Sequence, residues 1–253
     1  LNDSLSLATG WESEDIEDVR SERYTVLLAR RQQFTSGWVR TQSVRWLEER
    51  VTAGLDTGDS RLILPGLAFS RTRSRGGVDP YRGDHQSYSV EGSARDALSD
   101  VDVARVRLSN TWLRSPGESH RFQLRADLGA IATNDFGRTP TSLRFFAGGD
   151  QSVRGFAYRS LGPSDASGEV AGGRYLATGS AEYSHAIAGK WRVATFVDGG
   201  NAFDSIDQVD AEVGAGFGIR WSSPVGPLRL DLAWGVSRDD VPFRVHISVG
   251  PPF

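Results

Sequence analysis

From Phe122 to Ala130 the chain alternates with period two. Phe122, Leu124, Ala126, Leu128 and Ala130 fall on one side, and Gln123, Arg125, Asp127 and Gly129 on the other. Successive side chains of a strand point to opposite faces, so this segment predicts a β-strand with one apolar and one polar face; helical spacing fits it far worse. The same split recurs in Val213, Ala215, Phe217, Ile219 and Trp221 against Glu212, Gly214, Gly216, Gly218 and Arg220. It recurs again in Leu228, Leu230, Leu232 and Trp234 against Arg229, Asp231, Ala233 and Gly235, and in Phe243, Val245, Ile247 and Val249 against Arg244, His246 and Ser248. With turn signals as boundaries, the pattern predicts about twelve strands, near 2–13, 23–34, 38–50, 61–73, 86–96, 101–114, 119–131, 173–187, 191–199, 209–221, 227–236 and 242–250, and requires no helix.

These strands exceed the usual soluble length of about 5 or 6 residues and are long enough to cross a hydrocarbon layer at a tilt. Tight connections (Thr35-Ser-Gly37, Ser115-Pro-Gly-Glu118, Ala188-Gly-Lys190, Ser222-Ser-Pro-Val-Gly226) alternate with longer polar ones. An outer-membrane barrel has that asymmetry, with short periplasmic turns and longer external loops. Ser74 to His85 is a long connection on the side that should be short. Trp11, Trp38, Trp112, Trp191, Trp221 and Trp234 fall near strand ends, where interfacial girdles place them, and Trp46 falls further inside. The fold class predicted is all-β, a transmembrane antiparallel β-barrel, preferred to a soluble sandwich because charged faces recur opposite apolar ones on so many long strands. An open sheet edge does not persist in lipid, so the seam must close or find a partner.

Composition removes other classes. No run of about 18 apolar residues exists, which excludes a transmembrane helix but not a barrel. The mean hydropathy of -0.36 is therefore uninformative. Without cysteine there is no disulfide or thiolate site, and His85, His120, His185 and His246 show no metal-ligand spacing, so no metal or other cofactor is expected. A net charge of -3 gives no general attraction to nucleic acid, and none is expected as a partner. The chain starts inside an alternating segment, Leu5-Ser-Leu-Ala-Thr-Gly-Trp11, without an initiating methionine, and reads as a processed or excised fragment.

Between the seventh and eighth predicted strands lies a gap of roughly forty residues containing Arg144-Phe-Phe-Ala-Gly-Gly-Asp-Gln-Ser-Val-Arg-Gly-Phe156. It reads as a folded-in loop. An arginine buried there is neutralised only by acids on the polar faces of flanking strands, where Glu182 and Asp198 stand.

Phe145-Phe-Ala-Gly-Gly-Asp-Gln-Ser-Val-Arg-Gly-Phe156 resembles the Val-Arg-Gly-Phe loop signature of the BamA/TamA superfamily of outer-membrane assembly and translocation barrels. Phe196-Val-Asp-Gly-Gly200 and the stretch Gly216 to Asp231 resemble its final strands. The ending Val249-Gly-Pro-Pro-Phe253 is similar to the TamA-like branch, as are Ser36-Gly-Trp-Val-Arg40, Leu64-Pro-Gly-Leu67, Ser70-Arg-Thr-Arg-Ser-Arg-Gly-Gly77 and Gly83-Asp-His-Gln-Ser-Tyr88. The resemblance implies a sixteen-stranded barrel with the loop between the eleventh and twelfth strands. Residues 1–253 would then be a partial barrel domain, the last twelve strands, with four strands and the periplasmic POTRA repeats upstream.

The expected site follows from both readings. Arg154 folds back into the lumen and bridges Glu182 and Asp198; Gly148, Gly149 and Gly155 permit the tight path, Val153 precedes the arginine, and Phe156 packs on the inner wall. The last strand, Arg244, Val245, His246, Ile247, Ser248 and Val249, loses pairing near Gly250, because the two prolines before Phe253 cannot donate ladder hydrogen bonds. A frayed seam invites a client strand by β-augmentation.

No catalytic constellation appears: the histidines are dispersed polar-face or rim residues, Glu12 to Asp18 is a solvated acidic loop, and the glycines near 148 are not followed by Lys-Ser or Lys-Thr. The expected function is assistance to the insertion or secretion of other outer-membrane proteins, autotransporters among them, from the Gram-negative outer membrane and without a chemical step. The partners are the lipid bilayer and client outer-membrane proteins; the resemblance also implies a TamB-like inner-membrane partner. A BamA-type general insertase, a two-partner secretion pore and a passive pore are the alternatives.

Overall fold

The computed structural model describes residues 2–16, 19–53, 56–77, 79–166, 168–207, 209–223 and 226–250, with the backbone alone at 14–16, 19–20, 51–53 and 56–57. The alternating segments form β1 (Asn2–Ile16), β2 (Val19–Gln33), β3 (Val39–Ala53), β4 (Asp56–Arg75), β5 (Arg82–Ser93), β6 (Val103–Arg114), β7 (His120–Thr133), β8 (Tyr175–Ala188), β9 (Trp191–Phe203), β10 (Glu212–Ser223), β11 (Gly226–Gly235) and β12 (Phe243–Val249). They make one antiparallel sheet in which each strand neighbours the next in sequence, from β1 to β12. Two single 3-10 turns, Arg95–Ala97 and Thr141–Leu143, are the helical elements among the described residues.

The sidedness is that of a sheet bathed in hydrocarbon. Leu124 and Leu128 on β7, Val197 on β9, Phe217 on β10 and Ile247 on β12 are exposed, Ile247 to 74%. On the opposite face Asp127, Asp198, Arg220 and Asp231 are buried. Such contiguous apolar exposure is unfavourable in water and natural for strands whose outward face meets lipid.

Two connections differ from expectation. β4 runs to Arg75 and β5 starts at Arg82, so the link between them is short. Thr72 bonds His85 and Arg73 bonds Asp84 across the two strands, which makes ladder residues of Asp84 and His85, both of which read as loop. The acidic run that starts at Glu12, read as an external loop beyond a strand near 2–13, continues β1 to Ile16: Glu12 pairs with Arg23 of β2, and the register extends to Ile16 opposite Val19. In both places charged residues mask strand continuation, because cross-strand ion pairs stabilise a ladder that composition alone labels as loop.

By contacts the chain divides into two compact units. The first comprises residues 1–70, 87–107 and 130–144. Its buried side chains include Leu47, Leu62, Leu64, Val101, Val103 and Leu143. Here β3 and β4 turn leucines, not charges, toward the buried side, around one buried acid: Glu49 accepts the backbone N–H of Thr141 at 2.7 Å and of Ser142 at 3.3 Å. Glu49→Ala leaves both donors without that acceptor. It should cost about 1–3 kcal/mol, and Glu49→Gln less, read from the urea midpoint of the folded protein in lipid vesicles.

The second unit comprises 71–86, 108–129 and 145–253, and contains β8 to β12 and the glycine-rich loop.

Candidate functional site

The register of β8 to β12 decides what the loop can lie on. Side chains on the polar face form rows across the strands: Ser180, Asp198 and Gly214; then Glu182, Phe196, Gly216 and Ala233; then Ser184, Ala194, Gly218, Asp231 and His246. Each row mixes a carboxylate or aromatic with small residues, so the face is a shallow trough floored by glycines with acids along its sides. Added side-chain atoms at those glycines would collide with what occupies the trough. A Cβ at Gly214 would come within 1.8 Å of the Arg154 carbonyl oxygen, and one at Gly216 within 2.6 Å of the Phe196 ring. At Gly129 on β7 it would meet the Phe145 ring at 2.3 Å.

The loop enters this trough by short antiparallel bridges, Phe145 with Gly173 and Ala147 with Leu161. It then reverses tightly: Ser152 donates to the Gly149 carbonyl and Gly149 to that of Val153, while Gly148 and Gly149 hold φ of 94° and 98°, which favours glycine. Arg125 on β7 clamps the reversal, donating to the carbonyls of Asp150 and Ser152 at 3.4 and 3.2 Å. Gly155, at φ 95°, lies against the Trp234–Gly235 backbone, and buried Phe156 sits against Gly235 and Pro242.

Arg154 is thereby delivered, 5% exposed, among three carboxylates. Its Nε and Nη2 donate to the two oxygens of Asp198 at 2.7 and 2.9 Å, a fork-to-fork pair, and its backbone N–H adds a third bond to Asp198 at 3.0 Å. Its Nη1 reaches Glu182 at 2.9 Å and Asp231 at 3.1 Å. The guanidinium carbon stands 3.4 Å from the centre of the Phe196 ring. A second arginine closes the figure: Arg220 of β10 donates to both oxygens of Glu182 and, at 2.6 Å, to Asp231. Charges buried this deeply are tolerable only because nearly every donor finds an acceptor.

Of the residues singled out in the sequence, Arg154, Glu182 and Asp198 are brought together and Phe156 is beside them. Asp231, Arg220 and Arg125 were not singled out. They alternate correctly onto polar faces, but only the inter-strand register discloses which row each occupies. Phe196, the one aromatic among the polar-face residues of β9 in these rows, faces the trough and is the ring on which Arg154 stacks.

The terminal strand joins this site at one point, where His246 Nε2 accepts the Gly155 N–H at 3.3 Å. Val245, Ile247 and Val249 are exposed on the apolar face, Arg244 is exposed, Ser248 is half-buried, and Gly250 donates to Pro227 at 2.9 Å. Phe253 lies outside the described residues.

Two histidines expected to be dispersed meet instead. The Tyr183 hydroxyl lies 2.8 Å from His120 Nδ1 and 3.2 Å from His185 Nδ1, on neighbouring strands β7 and β8. With exposed Phe122 beside Tyr183 they form an aromatic cluster on the apolar face, and on β9 and β10 Trp191 stacks on Trp221. That position fits an interfacial girdle. In the turn between β4 and β5, Asp79 is bonded by Arg121 and Ser222. Burial alone would raise its pKa, and those two bonds outweigh burial and hold it below the ordinary carboxylate value.

Comparison with known proteins follows the same lines. The Omp85 superfamily domain matches residues 1–253. The outer membrane protein assembly factor BamA of Nitratidesulfovibrio vulgaris is 32% identical over 129 residues, 48% of this chain and 16% of that protein. The chloroplastic outer envelope protein 80 of Arabidopsis thaliana is 32% identical over 117 residues, 42% of this chain and 14% of that protein. The chain thus spans under a fifth of the length of these relatives. In fold it is similar to the crystal structure of BamA from Haemophilus ducreyi lacking POTRA domains 1–3, with TM-score 0.82 at 17% identity over 98% of this chain and 58% of that one. The trough, its clasped arginine and these matches lead to one assignment: the chain belongs to the Omp85 superfamily and is an outer-membrane β-barrel chain of a Gram-negative cell.

Proposed function

We propose that the chain is the strand-bearing part of an outer-membrane protein assembly or translocation factor, of the TamA-like branch, that passes client strands through a lateral seam beside β12. The observation that carries this reading is the Arg154 clasp. Four hydrogen bonds from one guanidinium to carboxylates of β8, β9 and β11 fix a loop inside the strand array, and only a specified internal loop warrants so much buried charge. Family membership supports the general class. The position of the loop between β7 and β8 supports reading these strands as the last twelve of sixteen, with POTRA repeats on the same protein and a TamB-like inner-membrane partner. No chemical step is involved; the work is strand exchange.

β12 supports the seam. It is the shortest strand, 7 residues, and its side-chain row from Phe243 to Val249 is exposed on the apolar face. An edge of this kind offers unpaired N–H and C=O groups to an incoming strand. Photo-crosslinkers at Arg244, His246 and Ser248 in the working protein should capture autotransporter barrel strands. Absence of client adducts at all three, while clients still assemble, rejects the seam.

The match to a BamA-named relative favours a second reading, a general insertase. Depletion separates the two: loss of autotransporters alone supports the TamA-like role, and loss of outer-membrane barrels at large supports the BamA-type role.

A further inference from the structure

Below the clasp lies a further row on the polar face. Arg192 of β9, Arg220 of β10 and Arg229 of β11 stand directly opposite one another in the register, with Ser248 of β12 next. Residues directly opposite across antiparallel strands have Cα atoms only about 4.5–5.5 Å apart, and like charges so placed repel. Three guanidiniums abreast, Arg220 buried and Arg192 and Arg229 half-buried, require counter-charge.

The nearby acids are already engaged. Arg220 takes Glu182 and Asp231, and both of these also serve Arg154. Asp79 is occupied by Arg121 and Ser222. Arg192 donates only to neutral carbonyls, those of Glu118 and Ser119. Among the described residues Arg229 makes no hydrogen bond and no close ion pair, and Glu182 and Asp231 act on it only at longer range. One cavity of about 20 Å³ is lined by Arg121, Arg192, Arg220 and Arg229 together with Asp79 and Glu182. That volume exceeds the roughly 10–15 Å³ needed for one water-sized occupant.

We infer that this cavity is a binding site for a small inorganic anion of halide size, held between Arg192 and Arg229 beside Arg220. The ligand chemistry follows from the site: four arginines against two carboxylates that already hold other partners, no metal-ligating set among the described residues, and space for one small sphere. A bound anion relieves the repulsion along the row and ties β9, β10 and β11 together two strands from the seam. This inference does not depend on the proposed function, since it concerns the folded chain and not its clients.

The test uses the full-length protein folded in detergent, unfolded thermally at constant ionic strength while sodium chloride replaces sodium gluconate, so that general screening is held fixed. Chloride should raise the unfolding temperature with saturation, and Arg229→Gln should weaken the half-saturating concentration about tenfold or abolish the response. Arg192→Gln should act in the same direction, while Arg61→Gln, an exposed residue of the other unit, should leave it unchanged. Crystals grown in bromide supply a readout independent of any variant: an anomalous peak between Arg192 and Arg229. Identical unfolding in chloride and gluconate, or a bromide-soaked crystal without that peak, overturns the inference. A peak that appears without any saturable stabilisation reads as an adventitious ion only, and overturns it equally.

Discussion

Arg154→Gln should destabilise the folded protein by about 3–5 kcal/mol, the cost typical of removing one partner from a buried ion pair. The loss falls mainly on Asp198. Glu182 and Asp231 keep Arg220 at 2.8 and 2.6 Å, whereas Asp198, 1% exposed, retains only a backbone N–H. That asymmetry orders a series. Arg154→Lys should fall between the parent and Arg154→Gln, because an ammonium cannot present two parallel donors to Asp198 and also reach Glu182. Arg220→Gln should cost less than Arg154→Gln, since both of its acids retain Arg154. Asp198→Asn in the Arg154→Gln background should recover part of the loss, because it removes the stranded charge. The measurement is the urea midpoint and slope in lipid vesicles, with heat-modifiable gel mobility as the check on folding. If Arg154→Gln is neutral, or if Asp198→Asn worsens it, the clasp is not what fixes the loop.

The fold was readable from the chain because a strand with unlike faces writes a period of two that survives substitution, and β7, β10, β11 and β12 carry it almost without exception. Its ends were less readable. Asp84 and His85 are polar ladder residues of β5 that read as loop, and the acidic residues after Ser13 continue β1 to Ile16, so local composition points the wrong way at these strand ends. The site was partly readable for a similar reason. Alternation assigns Glu182 and Asp198 to the polar face, but says nothing about register, and a one-residue slip would move every side chain to the other face. Asp231 and Arg220 therefore carried no mark that distinguished them from other polar-face residues. Their role is defined only once Gly218 is opposite Asp231 and Glu182 is opposite Phe196. The same ignorance of register hid the Arg192–Arg220–Arg229 row, whose members are well separated in the chain, and the Tyr183 contact that joins His120 to His185.

Glycine spacing marks where the loop meets the strands. On β10 the polar face reads Glu212, Gly214, Gly216, Gly218, Arg220, and a run of glycines alternating with bulky residues signals that another part of the molecule approaches the backbone there. Gly214→Ala tests this most sharply. The added carbon would lie 1.8 Å from the Arg154 carbonyl oxygen and 2.9 Å from its carbonyl carbon, main-chain atoms that no rotamer change can move. The loop must therefore shift by more than an ångström, and Gly214 is directly opposite Asp198, the partner that Arg154 holds at 2.7 Å. Steric relief and ion-pair geometry are thus incompatible, and the expected cost is on the order of 3 kcal/mol, at the upper end for overpacking. Gly10→Ala, where nothing lies within 4 Å, is the matched control and should be nearly neutral. Loop displacement has its own readout: a cysteine introduced at Val153, fully buried beside Arg154, should resist a water-soluble maleimide in the parent and react in the Gly214→Ala background. Equal stability of the two alanine variants together with an unreactive Val153→Cys would mean that the loop does not rest on β10.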